Sequence, residues 1–117
     1  MRLLALLLLA SLAAGCGKSQ FDIDQEEIEA YVADNNLDAQ KTESGLWYVI
    51  EVEGSGDRPT LQDEVTVLYT GYLTDGTVFD QTSGQPITFP LANVIKGWQD
   101  GIPLFREGGN GLLIIPS

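Results

Sequence analysis

From Gly45 onward, apolar and polar residues alternate with a period of two. Leu46, Tyr48, Ile50 and Val52 point one way and Trp47, Val49, Glu51 and Glu53 the other, which predicts a half-buried strand. Gly54-Ser55-Gly56-Asp57 breaks it. A second strand is predicted over 65–73, with Val65, Val67 and Tyr69 sharing a face, and Asp75-Gly76 supplies the positive-φ turn that folds it onto Val78-Phe79-Asp80. Ser83-Gly84-Gln85-Pro86 interrupts a third strand, which resumes at Ile87-Thr88-Phe89 and stops at Pro90, whose nitrogen has no hydrogen to donate. The spacing then becomes helical. Asn93 stands in the capping position, and Val94, Trp98 and Ile102 recur at four-residue intervals as an inward face. After Pro103 and the turn at 107–111, a last strand is predicted over 112–115. Many short strands and one short helix predict an α+β domain, an antiparallel sheet curled around the helix.

The chain before Gly45 follows other rules. Met1-Arg2 is a short basic start, Leu3 to Leu12 is an almost uninterrupted aliphatic run, and Ala13-Ala14-Gly15 offers the small side chains a signal peptidase needs. The run is too short to span a bilayer permanently, so residues 1–15 are expected to be an export leader. Cys16 follows at once, and in an exported chain a single cysteine has no internal disulfide partner. Small residues before a lone cysteine resemble the bacterial lipobox, although the leucine sits one place early, at Leu12. Cys16 is therefore expected to carry a lipid and to anchor the mature chain to a membrane of the bacterial cell envelope. Gly17 rather than aspartate after it resembles an address for the periplasmic face of the outer membrane. The alternative is an ordinary secretory leader followed by a buried thiol.

Residues 16–43 are polar and acidic and are expected to form a stalk. Asp24 followed by Glu27 resembles a capping box, Ile28, Tyr31 and Val32 share one face, and Asn35-Asn36 ends the turn, which together predict one short helix. Its apolar stripe is narrow, so the helix is expected to be loosely attached. The same stripe could dock on the domain or join a second copy into a homodimer.

Charge and residue types remove several classes of function. The formal net charge of the 117 residues is −11, and loss of residues 1–15 would remove Arg2 and no acid. Such a chain repels phosphate backbones, so nucleic acid is not an expected partner. There is no histidine, so Ser/His, Cys/His and His-based zinc chemistry lack members. The glycines lie in turns and form neither a phosphate-cradling loop nor a dinucleotide fingerprint. No cofactor is expected.

Three segments remain: Tyr69-Thr70-Gly71, Val78-Phe79-Asp80 and Val94-Ile95-Lys96-Gly97-Trp98. Taken singly, each aromatic among them is most simply a core residue. In this order and spacing they resemble the signature of the FKBP-type peptidyl-prolyl isomerases, the macrolide-binding immunophilins. The resemblance implies an FKBP-like fold over residues 44–117 and an isomerase acting on proline-containing polypeptides, with macrolides as further ligands. It implies that Trp98 is the floor under the substrate proline, that Tyr69 lines the pocket and donates toward ligand oxygen, that Phe79 is a wall and that Asp80 is an acid at the rim. Val94 and Ile95 correspond to the pair before the helix, with the Ile95 amide as a donor to ligand. Ile87 falls where many relatives carry an aromatic, and Phe89 lines the pocket or fills the core.

This chemistry suits a chain without catalytic nucleophiles. Rotation about an X–Pro bond faces a barrier of about 18–20 kcal/mol while its end states differ by about 1 kcal/mol, so only the barrier has to fall. Water favours the charge-separated planar amide. A dry apolar pocket favours the twisted one, and each ~1.4 kcal/mol of difference is tenfold in rate. Clients would be exported proteins whose folding waits on proline. The runner-up is a non-catalytic chaperone or binding module using the same groove. The resemblance also implies a flap, an apolar ceiling and a mid-sheet strand after Ile115-Pro116, so the domain is expected to be incomplete at its C-terminus, with two separated ribbons and unpaired backbone groups between them.

Overall fold

The computed structural model describes the backbone of residues 2–9 and the whole of residues 19–116. Cys16 lies outside them. Seven strands form one sheet: β1 (Arg2–Leu9), β2 (Gln40–Lys41), β3 (Trp47–Val52), β4 (Glu64–Leu73), β5 (Val78–Gln81), β6 (Ile87–Pro90) and β7 (Asn110–Ile115). Helix α1 (Gln20–Asp34) precedes β2, and the short helix α2 (Lys96–Gly101) lies between 3₁₀ turns at Leu91–Asn93 and Ile102–Leu104. The strand order is β2-β3-β7-β1-β4-β5, with β6 also paired to β4.

The turn at Asp75-Gly76 folds β5 onto β4 as the alternation predicts. Gly76 has φ 93°, and the Asp75 carboxylate accepts a hydrogen bond from the Thr77 amide at 2.9 Å. β3 pairs antiparallel with β7, and β5 and β6 pair antiparallel with β4. On the inner face Leu46, Val65, Val67 and Leu113 are buried with Leu91, Trp98, Ile102 and Phe105, so the sheet curls around α2.

The helix sits this tightly because its inner face carries no side chain at two positions one turn apart. A Cβ on Gly97 would lie 2.7 Å from the Ile115 side chain, and one on Gly101 would lie 2.6 Å from that of Leu113. Asn93 does not cap α2. It belongs to the preceding 3₁₀ turn, while Ile95 holds the capping position without a side-chain bond. The first turn is closed instead by the Ile95 carbonyl, which accepts from the Trp98 and Gln99 amides at 3.0 and 3.1 Å.

Helix α1 differs from expectation in where it starts and in how it is held. Its cap is Ser19, whose hydroxyl accepts from the Asp22 amide at 3.1 Å, so the helix begins ahead of the Asp24–Glu27 pair. Asp24, expected at the cap, is buried within the helix and accepts from Gln20 Nε2 at 2.9 Å. The helix is docked on the outer face of the sheet. Ile28 is fully buried with Leu112 and Ile114, and Tyr31, Val32, Trp47, Val49 and Tyr72 pack around them. Gln25 latches it in register, donating to the Gly45 carbonyl at 2.8 Å and accepting from Trp47 Nε1 at 2.9 Å. Thr74 adds a bond to Glu27 at 2.7 Å. A narrow stripe suffices because buried polar side chains complete the contact. Both faces of β3 are therefore covered in its first half, where the alternation predicted one.

The sheet also lacks the expected gap between two ribbons. β1 runs through its middle, parallel to β4 on one side and to β7 on the other. The sheet is thus antiparallel except at β1, and the facing edges of β4 and β7 are paired there.

Truncating Ile28 to alanine should cost about 2–5 kcal/mol, since the side chain is wholly enclosed between helix and sheet. Urea unfolding of the variant measures this. A loss below about 0.5 kcal/mol, the level of a solvent-facing position, would show the helix undocked.

Candidate active site

On the inner side of the β4–β5 hairpin, Tyr69, Phe79, Asp80, Asn93, Val94, Ile95 and Trp98 surround one hollow of about 340 Å³. Its floor is Trp98, buried at 7% exposure. The Tyr69 ring stands edge-on to the indole, centroids 4.8 Å apart at 87°, and the Phe89 ring lies tilted against it at 5.3 Å. Among the described residues, the buried Trp98 Nε1 has no hydrogen-bond partner. The floor is thus an aromatic face whose polar group, the indole N–H, is buried.

Tyr69 shares the inward face of β4 with Val65 and Val67. Thr82 clamps its backbone, its amide donating to the Tyr69 carbonyl at 3.0 Å while its hydroxyl accepts from the Tyr69 amide at 3.2 Å. On β5, Asp80 pairs with Gly71, and the register shifts between Gly71 and Tyr72. This irregularity gives the hairpin room to tilt its side chains over the hollow. The Phe79 ring then lies on the bare backbone of Gly71, where a Cβ would stand 2.9 Å from Phe79 Cζ. Phe79 remains 46% exposed and forms the wall's upper edge, with Ile95 at 54% across from it.

The polar contact of the site joins Tyr69 to Asp80: the phenol donates to the carboxylate Oδ2. Burial pushes the Tyr69 pKa up from 10.0 to about 12, and the hydrogen bond and negative charge of Asp80 act in the same direction. The phenol therefore stays neutral throughout the physiological range. Its single hydrogen is committed to Asp80, so a ligand oxygen approaching Tyr69 would have to compete with that carboxylate.

Six of the eight residues singled out for the site border this hollow: Tyr69, Phe79, Asp80, Val94, Ile95 and Trp98. Phe89 does not line it and packs beneath the indole as part of the core. Ile87 lies on β6 opposite Val67, 41% exposed and outside the lining. Three contributors carried no signal for this role in the sequence. Asn93 lines the hollow although its spacing suggested a cap. Gly71 makes room for Phe79. Gln99 pins the loop before α2, its Nε2 donating to the carbonyls of Ala92 and Val94 at 3.1 and 2.9 Å. Such a bond depends on loop geometry that no residue pattern announces.

Chemically the arrangement offers an aromatic floor, apolar walls and one neutral phenol tied to one acid. Such a lining is suited to binding and desolvating an apolar group, and no nucleophile with a lowered pKa lines it.

Comparison with known proteins agrees on one family. Residues 56–117 match the model of the FKBP-type peptidyl-prolyl cis-trans isomerase domain. The chain is 44% identical over 104 residues to a probable FKBP-type peptidyl-prolyl cis-trans isomerase FkpA of Neisseria meningitidis, covering 86% of this chain and 38% of that protein. It is 45% identical over 76 residues to the outer membrane protein MIP of Legionella longbeachae, covering 63% of this chain and 33% of that one. The crystal structure of FkpA from Escherichia coli superposes with a TM-score of 0.60 at 32% identity, over 77% of this chain and 46% of the other. The chain thus spans well under half the length of the curated relatives it matches.

Tyr72 is raised to about 12 as well, by burial first and then by its hydrogen bond with Tyr31. A tyrosine whose folded pKa lies above its unfolded 10.0 contributes stability that is whole below pH 10 and is lost as pH rises through 12. The urea midpoint should therefore fall between pH 10 and 12, and less steeply in Tyr69→Phe. A wild-type phenolate absorbance titration in which every tyrosine ionises near its ordinary value would contradict this.

Proposed function

The chain belongs to the FKBP-type peptidyl-prolyl cis-trans isomerase family, and on that premise we propose that it catalyses cis-trans isomerisation of X–Pro bonds in exported polypeptides. The observation that carries this reading is the shared hollow of Tyr69, Phe79 and Trp98. A proline ring laid on the indole would exchange water for aromatic carbon, with Phe79 and Ile95 closing from the sides. The planar amide loses the solvation that favours it, while the twisted amide, with less charge separation, loses less. Asp80 acts through Tyr69: it holds the phenol neutral and oriented at the pocket wall, and no proton transfer is needed. Val94 and Ile95 contribute the lip, with the Ile95 amide as the donor to a client carbonyl. Macrolides that present an apolar ring and adjacent carbonyls would compete for the same hollow.

The proposal extends to placement. Residues 1–15 act as the export leader, Cys16 receives the lipid, residues 16–43 link the anchor to the domain, and residues 44–117 carry the site. The chain's similarity to a protein named for the outer membrane supports an envelope location, and Gly17 after Cys16 is the feature that favours the periplasmic face of that membrane. Clients there are extended proteins bearing proline. A homodimer would have to use surfaces other than Ile28, which the chain's own sheet already covers.

A second reading, a holding module without turnover, is favoured by one feature: Val78, Phe79 and Ile95 leave apolar surface at the rim, 46–54% exposed. The two readings part in a protease-free isomerisation assay. Phe79→Ala, at an exposed position that keeps the fold, and Trp98→Ala should each lower kcat/KM at least tenfold, about 1.4 kcal/mol of barrier. An unmodified protein that binds proline peptides without accelerating them would establish the holding module instead. Cys16→Ser should move the protein from the membrane to the soluble fraction and abolish incorporation of labelled fatty acid; unchanged fractionation would remove the anchor from the proposal.

A further inference from the structure

The lip of the hollow is built from a stretch that regular secondary structure does not support. Asn93, Val94 and Ile95 are consecutive lining residues at the junction of the 3₁₀ turn at Leu91–Asn93 and α2. Val94 and Ile95 are extended, with φ/ψ of −108°/177° and −59°/153°, yet they belong to no strand, and α2 has no side-chain cap here. One side chain holds the stretch. Gln99 Nε2 donates to the Ala92 carbonyl at 3.1 Å and to the Val94 carbonyl at 2.9 Å, gripping the backbone on both sides of Asn93.

We propose that Gln99 is a positioning residue of the site, an inference that rests on the isomerase reading: by holding the Val94 carbonyl it aims the Ile95 amide at the client. The peptide unit is planar and trans, so the C=O of Val94 and the N–H of Ile95 lie in one plane and point in opposite directions. A donor that fixes the first fixes the second. Among the described residues the Ile95 amide donates to no backbone carbonyl, so its hydrogen is free for a client. The second bond, to Ala92, anchors the peptide unit before Asn93 and keeps the stretch from turning as a whole. The placement suits the task. Cα–Cβ bonds in a helix tilt toward its N-terminus, so a residue at the end of the first turn reaches back to the preceding loop. A primary amide carries two hydrogens on one nitrogen, as two carbonyls require.

The role has a kinetic signature. Isomerisation turns the residue before proline while the proline ring stays seated on Trp98. A donor at the lip that holds the ring's side of the client binds the planar and twisted forms alike, so misaiming it raises KM and leaves kcat nearly unchanged. A glutamine that served the fold alone would lower stability and spare both constants.

Two variants of the full-length protein test this in a protease-free assay with a proline peptide. Gln99→Ala, which has no donor, should raise KM at least about fivefold with kcat within about twofold of the unmodified protein. Gln99→Glu sets carboxylate oxygens against two carbonyls at neutral pH and should be impaired at least as much. Protonation returns one hydrogen to it. Its KM, divided by that of the unmodified protein at the same pH, should therefore fall at least about threefold from about pH 7.5 to about pH 5, while the same ratio for Gln99→Ala stays level. A Gln99→Glu ratio that ignores pH, a Gln99→Ala KM within about twofold of the unmodified protein, or losses in both variants that track a lowered urea midpoint would overturn the proposal. An unmodified protein that binds the peptide without turnover would defeat only the isomerase reading. The same ratios, taken as Kd by calorimetry, would then decide the positioning role in the same way.

Discussion

The seating of one indole is the contact on which the rest of the structure depends. Trp98 lies between the inner face of the sheet and the hollow, and it can reach that place only because α2 approaches β7 with two glycines turned toward it. Side chains at Gly97 and Gly101 would push the helix outward by the thickness of a methyl group. The edge-on contact with Tyr69 would then be lost, and with it the common wall to Phe79 and Asp80. Close approach of backbone to side chain sets the depth of the floor, and the walls follow from it.

The hairpin that supplies those walls obeys the same logic. Asp75-Gly76 sets the turn, and the register shift after Gly71 lets β5 lean over β4. The bare Gly71 backbone accepts the Phe79 ring, and the Tyr69–Asp80 bond ties the two strands together at the level of the hollow. A pocket that works by desolvation needs stiffness more than reactive groups, and the clamps made by Thr82 and Gln99 serve that end. The outer face contributes from behind. With α1 latched by Gln25, the sheet that carries Tyr69 on one side is backed on the other by Ile28 and its neighbours.

Much of this was legible in the chain. The period-two runs placed β3, β4 and β6 to within a residue or two, and the Asp75-Gly76 turn placed the hairpin; of the four-residue series Val94, Trp98 and Ile102, all three face the core, but only Trp98 lies in the shorter helix α2, with Val94 before it and Ile102 in the 3₁₀ turn after it. The ordered aromatics pointed to a shared hollow, and six of the eight named positions border one. What was illegible depended on contacts distant in sequence. The docking of α1 rests on Gln25 reaching Gly45 and Trp47, and a glutamine among acidic residues reads as solvated surface. Ser19 replaced Asp24 as the cap because its hydroxyl closes an additional, largely exposed first turn, while Asp24 is buried one turn further in.

By itself, then, the sequence determined the local elements and the identity of the side chains able to form a pocket, because turn chemistry and hydrophobic period act over a few residues. Only the tertiary structure decided which of them meet. It put Phe89 beneath the indole and left Ile87 outside the lining. It bound the Tyr69 hydrogen to Asp80, and it drew an aliphatic run with no strand-like alternation into the centre of the sheet. The physical reason is common to all four: backbone pairing and close packing must be satisfied everywhere at once, and no window of neighbouring residues contains that condition.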